Sequence, residues 1–234
     1  MGAIQLKNVS VLFPYKSDRG PRDRIFEWVT SFYKVMMPDA ELCIGEGTCQ
    51  DNLFSRSKAI NNAAKKATKD IFIIADTDIY YDPKIIENSL AALSEYEWII
   101  PYYKIHKLSD NTTEKILSED PAWPVHGEIT DSTIIKQARV GGLNVIPRKN
   151  FELAGGFDER FCGWGGEDDA FGIAVNTLCG KYQRLGGEIF HLHHPTLKRK
   201  GNPNYYSNKT LTKHYRDNKG DKEAIRKLIN YKRS

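Results

Sequence analysis

Between Val9 and Ile105, short apolar runs alternate with stretches whose apolar residues recur at helical spacing, and few folds can use that pattern. "VSVLFPY" (Val9–Tyr15), "AELCIGEG", "DIFIIADTDIYYDP" and "EWIIPYYKI" read as strands. "RDRIFEWVTSFYKVM", "LFSRSKAINNAAKKATK" and "PKIIENSLAALSEY" fall between them as helices, the first with Ile25, Trp28, Val29, Phe32 and Val35 or Met36 on one face. Strands joined through helices pair in parallel and are covered on both faces. The alternation therefore predicts an α/β fold with a mostly parallel central sheet flanked by helices, and ligands at the strand C-termini. Further on, "VGGLNVIPRKNFELAGGF" gives a strand and a helix, "DAFGIAVNTLCG" a helix closed by Gly180, and "GEIFHLHHP" a strand ending in histidines. The polar stretch from Ser109 to Ala138 has no period and reads as a long excursion over the site.

A chain of 234 residues suits one domain with a real core. Residues 1–195 are expected to form the catalytic unit and 196–234 a basic tail of the same domain, a lid plus a helix. From Thr196 on there are 12 Lys/Arg against 3 Asp/Glu, whereas the preceding residues carry 22 against 27. Two interpretations of the tail stand: it meets phosphate on a nucleotide, a nucleic acid or a membrane surface, or "DKEAIRKLINYKRS" is a solvated amphipathic helix. No window holds the roughly 18 apolar residues of a membrane span, and the first residues lack a signal-peptide pattern. A cytoplasmic protein is expected, with peripheral membrane contact as an option. Cys43, Cys49, Cys162 and Cys179 form no CxxC pair, so they do not suggest zinc. Reduced thiols suit that compartment, and a Cys43–Cys49 disulfide is the alternative for a secreted chain.

Three groups of residues carry chemistry. Asp76-Thr77-Asp78 closes an apolar run, where both carboxylates can reach one ligand, and hard oxygens suit Mg²⁺ or Mn²⁺ beside a diphosphate. His191, His193 and His194 are the second group. A continued strand would put His191 and His193 on one face, whereas a turn at Pro195 would let His194 swing in; imidazole favours Mn²⁺ over Mg²⁺. The third is "CGWGGEDDAFG", Cys162–Gly172, in which Glu167-Asp168-Asp169 repel one another unless each has a separate duty. Trp164 beside them is either a platform for the apolar face of a sugar or a core tryptophan in a turn.

The order of "FPY", "FSRSKAIN", "ADTD", "VGGLNVI", "GGFDERFCGWGGEDDAF" and "HLHHP" resembles that in GT-A glycosyltransferases, most closely the β-1,4-galactosyltransferase type. Bacterial chondroitin-polymerase domains and polypeptide GalNAc-transferases are more distant likenesses. The resemblance spans about Val9 to Asn204 and implies a GT-A fold using a UDP-sugar and Mn²⁺ or Mg²⁺. It implies that Pro14, Tyr15 and the loop Lys16–Arg24, with Arg24, meet the nucleotide, together with Arg56, Lys58, Asp76 and Thr77. Asp78 would be a direct metal ligand, Asp76 would approach ribose or metal, and His194 and His191 would complete the set. Gly141 and Gly142 would lie beside the donor sugar. Trp164, Gly165, Gly166, Glu167 and Asp169 would form the sugar and acceptor side, with Asp168 and Glu167 catalytic. Two departures bear on sugar specificity: Ala170 shortens the family's acid run, and His191 replaces a methionine ligand. The family's secretory anchor is also missing, which favours a microbial or viral enzyme.

The chemistry leads to the same reaction. A sugar-nucleotide loses a diphosphate, which a cation stabilises, and the acceptor hydroxyl needs a base; one in-line displacement inverts the anomeric centre. The expected donor is UDP-galactose, UDP-GalNAc or UDP-glucose. The acceptor stays open among a glycan, a glycolipid, a protein and a modified base in nucleic acid. Rival interpretations are a nucleotidyltransferase, for which "FPYKSDRGPRDR" makes a poor phosphate loop, and a non-catalytic sugar- or nucleotide-binding protein, against which the intact acids argue.

Overall fold

The structure, a computed structural model, describes residues 6–50, 52–126, 129, 131–136, 140–195 and 201–231. It opens with three parallel strands, β1 (Val9–Pro14), β2 (Glu41–Gly45) and β3 (Ile71–Ala75), in the spatial order β2-β1-β3. All six residues of β1 are buried, as in a strand covered on both faces. The crossovers are α1 (Pro21–Met36) and α2 (Arg56–Lys66). Helix α1 buries Ile25, Trp28, Val29, Phe32, Tyr33 and Met36, while Val35 faces out. Helix α2 starts where the Ser55 hydroxyl caps the Lys58 N–H, so Arg56 occupies its first turn.

β3 ends at Ala75, and after three residues the chain resumes as β4 (Ile79–Tyr81). What the sequence presents as one strand is two, because β4 belongs to the opposite edge of the sheet. With β5 (Ile99–Leu108), β6 (Ser132–Lys136), β7 (Leu143–Pro147) and β8 (Gln183–His191), the order is β2-β1-β3-β7-β5-β8-β4, and β6 adds to β5. Strands β1, β2, β3, β5 and β8 point one way; β4, β6 and β7 run against them. In a flat sheet β3 and β4 would stand about 19 Å apart, four steps of ~4.8 Å. The link from Ala75 to Ile79 reaches at most ~14 Å, so the sheet must curl to let Asp76–Asp78 close it.

Helix α3 (Lys84–Ala92) packs on β5 and β8, and α5 (Arg148–Leu153) on β7 and α6 (Glu167–Leu178). The span from Ser109 to Ala138 is less irregular than its polarity suggests. It holds α4 (Asp110–Leu117), capped by the Ser109 hydroxyl, and the antiparallel strand β6. Past residue 200, α7 (Tyr205–Asp217) and α8 (Lys222–Tyr231) both lie on α6. Ile225 and Ile229 of α8 are buried, so that helix is docked rather than solvated. Lys198, Arg199 and Lys200, expected to form a lid, fall outside the described residues.

The expectation for the cysteines needs correction. Cys49 is bonded to Cys162 across 113 residues, which is neither the all-reduced state nor the Cys43–Cys49 pair. Cys43 is buried within β2, while the Thr48–Phe54 bridge carries Cys49 beside the loop that follows α5. No helix among the described residues is long and apolar enough to cross a membrane.

Candidate active site

Strands β3 and β8 end at the same edge of the sheet, and β4 begins there with Ile79 paired to His191. That register sets Asp78 against the end of β8, where the Leu192 N–H donates to the Asp78 carbonyl at 2.8 Å. β8 stops at His191, so strand parity no longer applies. Leu192 is buried, His193 turns outward to Asp110, and His194 turns inward. His194 Nε2 lies 2.8 Å from Asp78 Oδ2, and His191 Nε2 lies 3.6 Å from Asp78 Oδ1. Asp78 Oδ1 is buried without a hydrogen-bond partner.

Ligand atoms of Asp78, His191 and His194 all lie within 4.8 Å of one another. An orphaned carboxylate oxygen facing two imidazoles is a donor set that fits a borderline divalent cation such as Mn²⁺. The other nitrogen of His194, Nδ1, lies 3.1 Å from the Pro195 carbonyl and 3.2 Å from the Arg22 guanidinium, so one tautomer donates to the carbonyl and the other accepts from Arg22. Burial alone would raise the Asp78 pKa, but His191, His194 and Arg22 together hold it well below the usual carboxylate range.

A second cluster surrounds Arg56. Its Nε donates to Asp76 Oδ1 at 2.9 Å, and one terminal nitrogen donates to Asp168 Oδ1 at 2.6 Å. The guanidinium thus joins the DxD segment to the first turn of α6. Burial works against this cation, yet the surrounding charges of Asp168, Asp76 and Glu167 raise its pKa and keep it charged. For Asp76 burial raises the pKa and Arg56 lowers it; the negative neighbours Asp78 and Asp168 tip the balance upward.

Helix α6 explains why three acids stand in a row. All three lie in its first turn, where the helix dipole favours negative charge. Gly166, at φ +98°, caps the helix in a conformation that other residues rarely adopt. From there each carboxylate goes a different way. Glu167 is buried and accepts the Gly165 N–H at 3.1 Å, Asp168 pairs with Arg56, and Asp169 pairs with Arg216 of α7 at 2.6 Å. Burial first, then the charge of Asp168, pushes the Glu167 carboxyl up to about 7. A Cβ on Gly141 would collide with Asp168 Oδ2, so the carboxylate rests directly on the glycine backbone. The Tyr102 hydroxyl donates to the Gly141 carbonyl, and the Gly142 carbonyl accepts the Asp76 N–H at 2.8 Å. Trp164 is 48% exposed, which excludes the core-tryptophan interpretation.

Other expected nucleotide contacts are more scattered. Pro14 ends β1; the Tyr15 ring stacks on Phe26 at 3.8 Å, and its hydroxyl donates to Asp23. Thr77 sits between the two acids. Arg24 pairs with Glu114 on the surface, and it is Arg22 that reaches His194, at 3.2 Å. Lys58, two residues along α2 from Arg56, lines a shallow cleft of about 660 Å³ with Cys49, Cys162 and Asn204, beside the glycine loop. Sequence reasoning included Arg22 only as part of the loop Lys16–Arg24, and did not single out Tyr102, Asn202 or Arg216, which no local motif marks.

Residues 134–195 match a family model described as the N-terminal domain of galactosyltransferase. A search of curated proteins gave no match. Among solved structures, the catalytic domain of Drosophila β1,4-galactosyltransferase 7, in complex with xylobiose, superposes with a TM-score of 0.50 at 18% identity, covering 89% of this chain and 80% of that one. Glucosyl-3-phosphoglycerate synthase from Mycobacterium tuberculosis, in complex with phosphoglyceric acid, gives 0.52 at 11% identity, covering 90% and 80%. The same enzyme in complex with Mn²⁺, UDP and phosphoglyceric acid gives 0.51 at 11% identity, covering 90% and 78%. Fold and motifs together define the class: the chain has the GT-A fold of glycosyltransferases. Within that class the chain is galactosyltransferase-like.

Proposed function

We propose that the chain is a metal-dependent, inverting glycosyltransferase that moves a hexose or N-acetylhexosamine from a UDP-sugar to an acceptor hydroxyl. The donor is UDP-galactose, UDP-GalNAc or UDP-glucose. The observation that carries this reading is the Asp76–Arg56–Asp168 bridge, which brings the end of β3 and the first turn of α6 into one site.

Asp78, His191 and His194 would hold the cation, which offsets charge on the departing diphosphate. Asp168 takes the proton of the acceptor hydroxyl as it attacks the anomeric carbon. Arg56 fixes one oxygen of that carboxylate and leaves Oδ2, the one resting on Gly141, for the proton. Glu167 orients a sugar hydroxyl, and Trp164 offers its exposed ring to an acceptor sugar. Gly141 leaves room for the Asp168 carboxylate, the Gly141-Gly142 backbone lies beside the donor sugar, and Asp76 and Thr77 flank the ribose.

Hydrolysis of the three UDP-sugars, measured with added Mn²⁺ and again after stripping with EDTA, tests the proposal. Turnover of one donor that disappears on stripping and returns with Mn²⁺ is the expected result. Full activity in excess EDTA would overturn the metal role, and donor binding with no turnover under any condition would overturn the enzyme reading. The cytoplasmic location remains a proposal, and the Cys49–Cys162 pair supplies its check, since such bonds persist in oxidising compartments. Four titratable thiols in protein taken from its native source would support the cytoplasm, and two would oppose it.

A further inference from the structure

The segment matching the galactosyltransferase model ends at residue 195, yet the loop bearing Trp164 is held by residues beyond that point. Asn202, only 8% exposed, donates from its Nδ2 to two carbonyls of that loop, Cys162 O and Trp164 O, each at 3.0 Å. Its Oδ1 accepts the Asn204 N–H at 3.0 Å, so the amide orientation is fixed at both ends. Asn208, also buried, accepts the Cys162 N–H and donates back to the Cys162 carbonyl. Gly163 stands at φ +68°, and a Cβ there would come within 2.7–2.9 Å of the Asn202 amide. The loop and the Asn202 side chain therefore fit against each other with no spare room. Across the loop, the Gly163 N–H donates to Phe54 O, and the disulfide ties Cys162 to Cys49.

A loop with left-handed glycines has many accessible conformations. The two Asn202 donors remove that freedom at the residues on either side of Gly163. We propose that Asn202 is a positioning residue for the acceptor site, setting the Trp164 platform while leaving donor and metal binding alone. The inference deepens the glycosyltransferase reading and rests on it for the meaning of the platform; the geometry of the clamp does not depend on it.

The experiment compares wild type with Asn202→Asp, which keeps size and the Oδ1 acceptor but loses both donors, and with Gly163→Ala, which crowds the same contact from the loop side. Acrylamide quenching of the Trp164 emission, isolated by subtracting the Trp164→Phe spectrum, should increase in both variants, while quenching of the buried tryptophans stays unchanged. With p-nitrophenyl β-glycosides as acceptors, the acceptor KM should rise by up to about thirtyfold, the full worth of two ordinary hydrogen bonds. Donor hydrolysis and its Mn²⁺ dependence should hold at wild-type values. A variant that is merely less stable would lose kcat for hydrolysis and transfer alike. Unchanged Trp164 quenching in folded Asn202→Asp, or an unchanged acceptor KM, would overturn the positioning role. Failure of wild type itself to turn over any UDP-sugar would instead count against the function proposed above, and the quenching comparison would still decide whether Asn202 fixes the loop.

Discussion

The two halves of the site are built differently. The proposed metal corner consists of strand ends: Asp78 leads into β4, His191 closes β8, and their register is set by the sheet ladder itself. The proposed acceptor side is a glycine loop and a helix start, and its anchors come from distant stretches: Arg56, Cys49, Asn202, Asn208 and Arg216. A sheet edge positions side chains through backbone hydrogen bonds, so changing one side chain leaves the frame intact. A loop pinned by side chains loses its geometry one pin at a time. Substitutions at the metal corner should therefore change chemistry without changing shape, whereas those around α6 should change both.

The largest effect expected is on Asp168. Asp168→Asn keeps the volume and the contact with Arg56 but removes the base, so kcat should fall by about 10²–10⁴. Donor affinity, read by calorimetry with UDP and Mn²⁺, should be nearly unchanged, and the wild-type product should show inverted anomeric configuration by NMR. Near-normal kcat in this variant, or a retained configuration, would sink the mechanism.

Opening the disulfide with Cys49→Ser should cost several kcal/mol, about 5 on the loop-entropy model for a loop of this size. The urea midpoint would report it. A midpoint that does not move would mean that the bond does not form in solution and that the acceptor side is held without it.

Glu167 makes stability depend on pH. Its folded-state pKa, about 7, lies above the ordinary 4.5, so the native state keeps a proton that the unfolded chain releases. Stability from this group is complete below about 4.5 and declines as pH rises through about 7, by roughly 3 kcal/mol at most. Glu167→Gln should flatten that slope in urea titrations run at pH 5 and pH 8. An unaltered slope would place the titration elsewhere.

At the metal corner, His194→Ala should weaken Mn²⁺ affinity roughly ten- to hundred-fold, comparable to the losses seen when a metal shell is disturbed. Thermal stability in the absence of metal should change little, in contrast with the disulfide. If His194→Ala unfolds the protein while Cys49→Ser is silent, the contrast between the two halves is inverted. The smallest effect belongs to Asp169→Asn. Its partner Arg216 is largely exposed, and such a pair contributes no more than about 1 kcal/mol; a larger drop in melting temperature would give Asp169 a further role.

Much of this was legible from short segments. β1, α1, α2 and β3 lie where apolar period and turn residues predict them, because each satisfies its own local pattern. The acids and histidines stood out because charge at a strand end or in a glycine loop has no purely structural use. What stayed hidden depends on topology. Ile79–Tyr81 continues the apolar run of β3, and no local property says that it joins the far edge of the sheet. For the histidines the sequence left two options, strand parity or a turn before Pro195, and it is the turn that brings His194 rather than His193 to Asp78. The Cys49–Cys162 bond and the Asn202 clamp link residues far apart in sequence, and polar residues in a tail carry no sign of which carbonyl they will meet.

The link Asp76–Asp78 has a mechanical consequence. Because four residue steps must span what a flat sheet would separate by about 19 Å, this segment works as a clasp. The curl of the sheet and the placement of Asp78 are a single degree of freedom. One extra residue between Ala75 and Ile79 would slacken the clasp, let the far edge spring outward, and carry the histidines of β8 with it. The loops around α6 can vary without touching this link, but the length of the clasp is not free to drift.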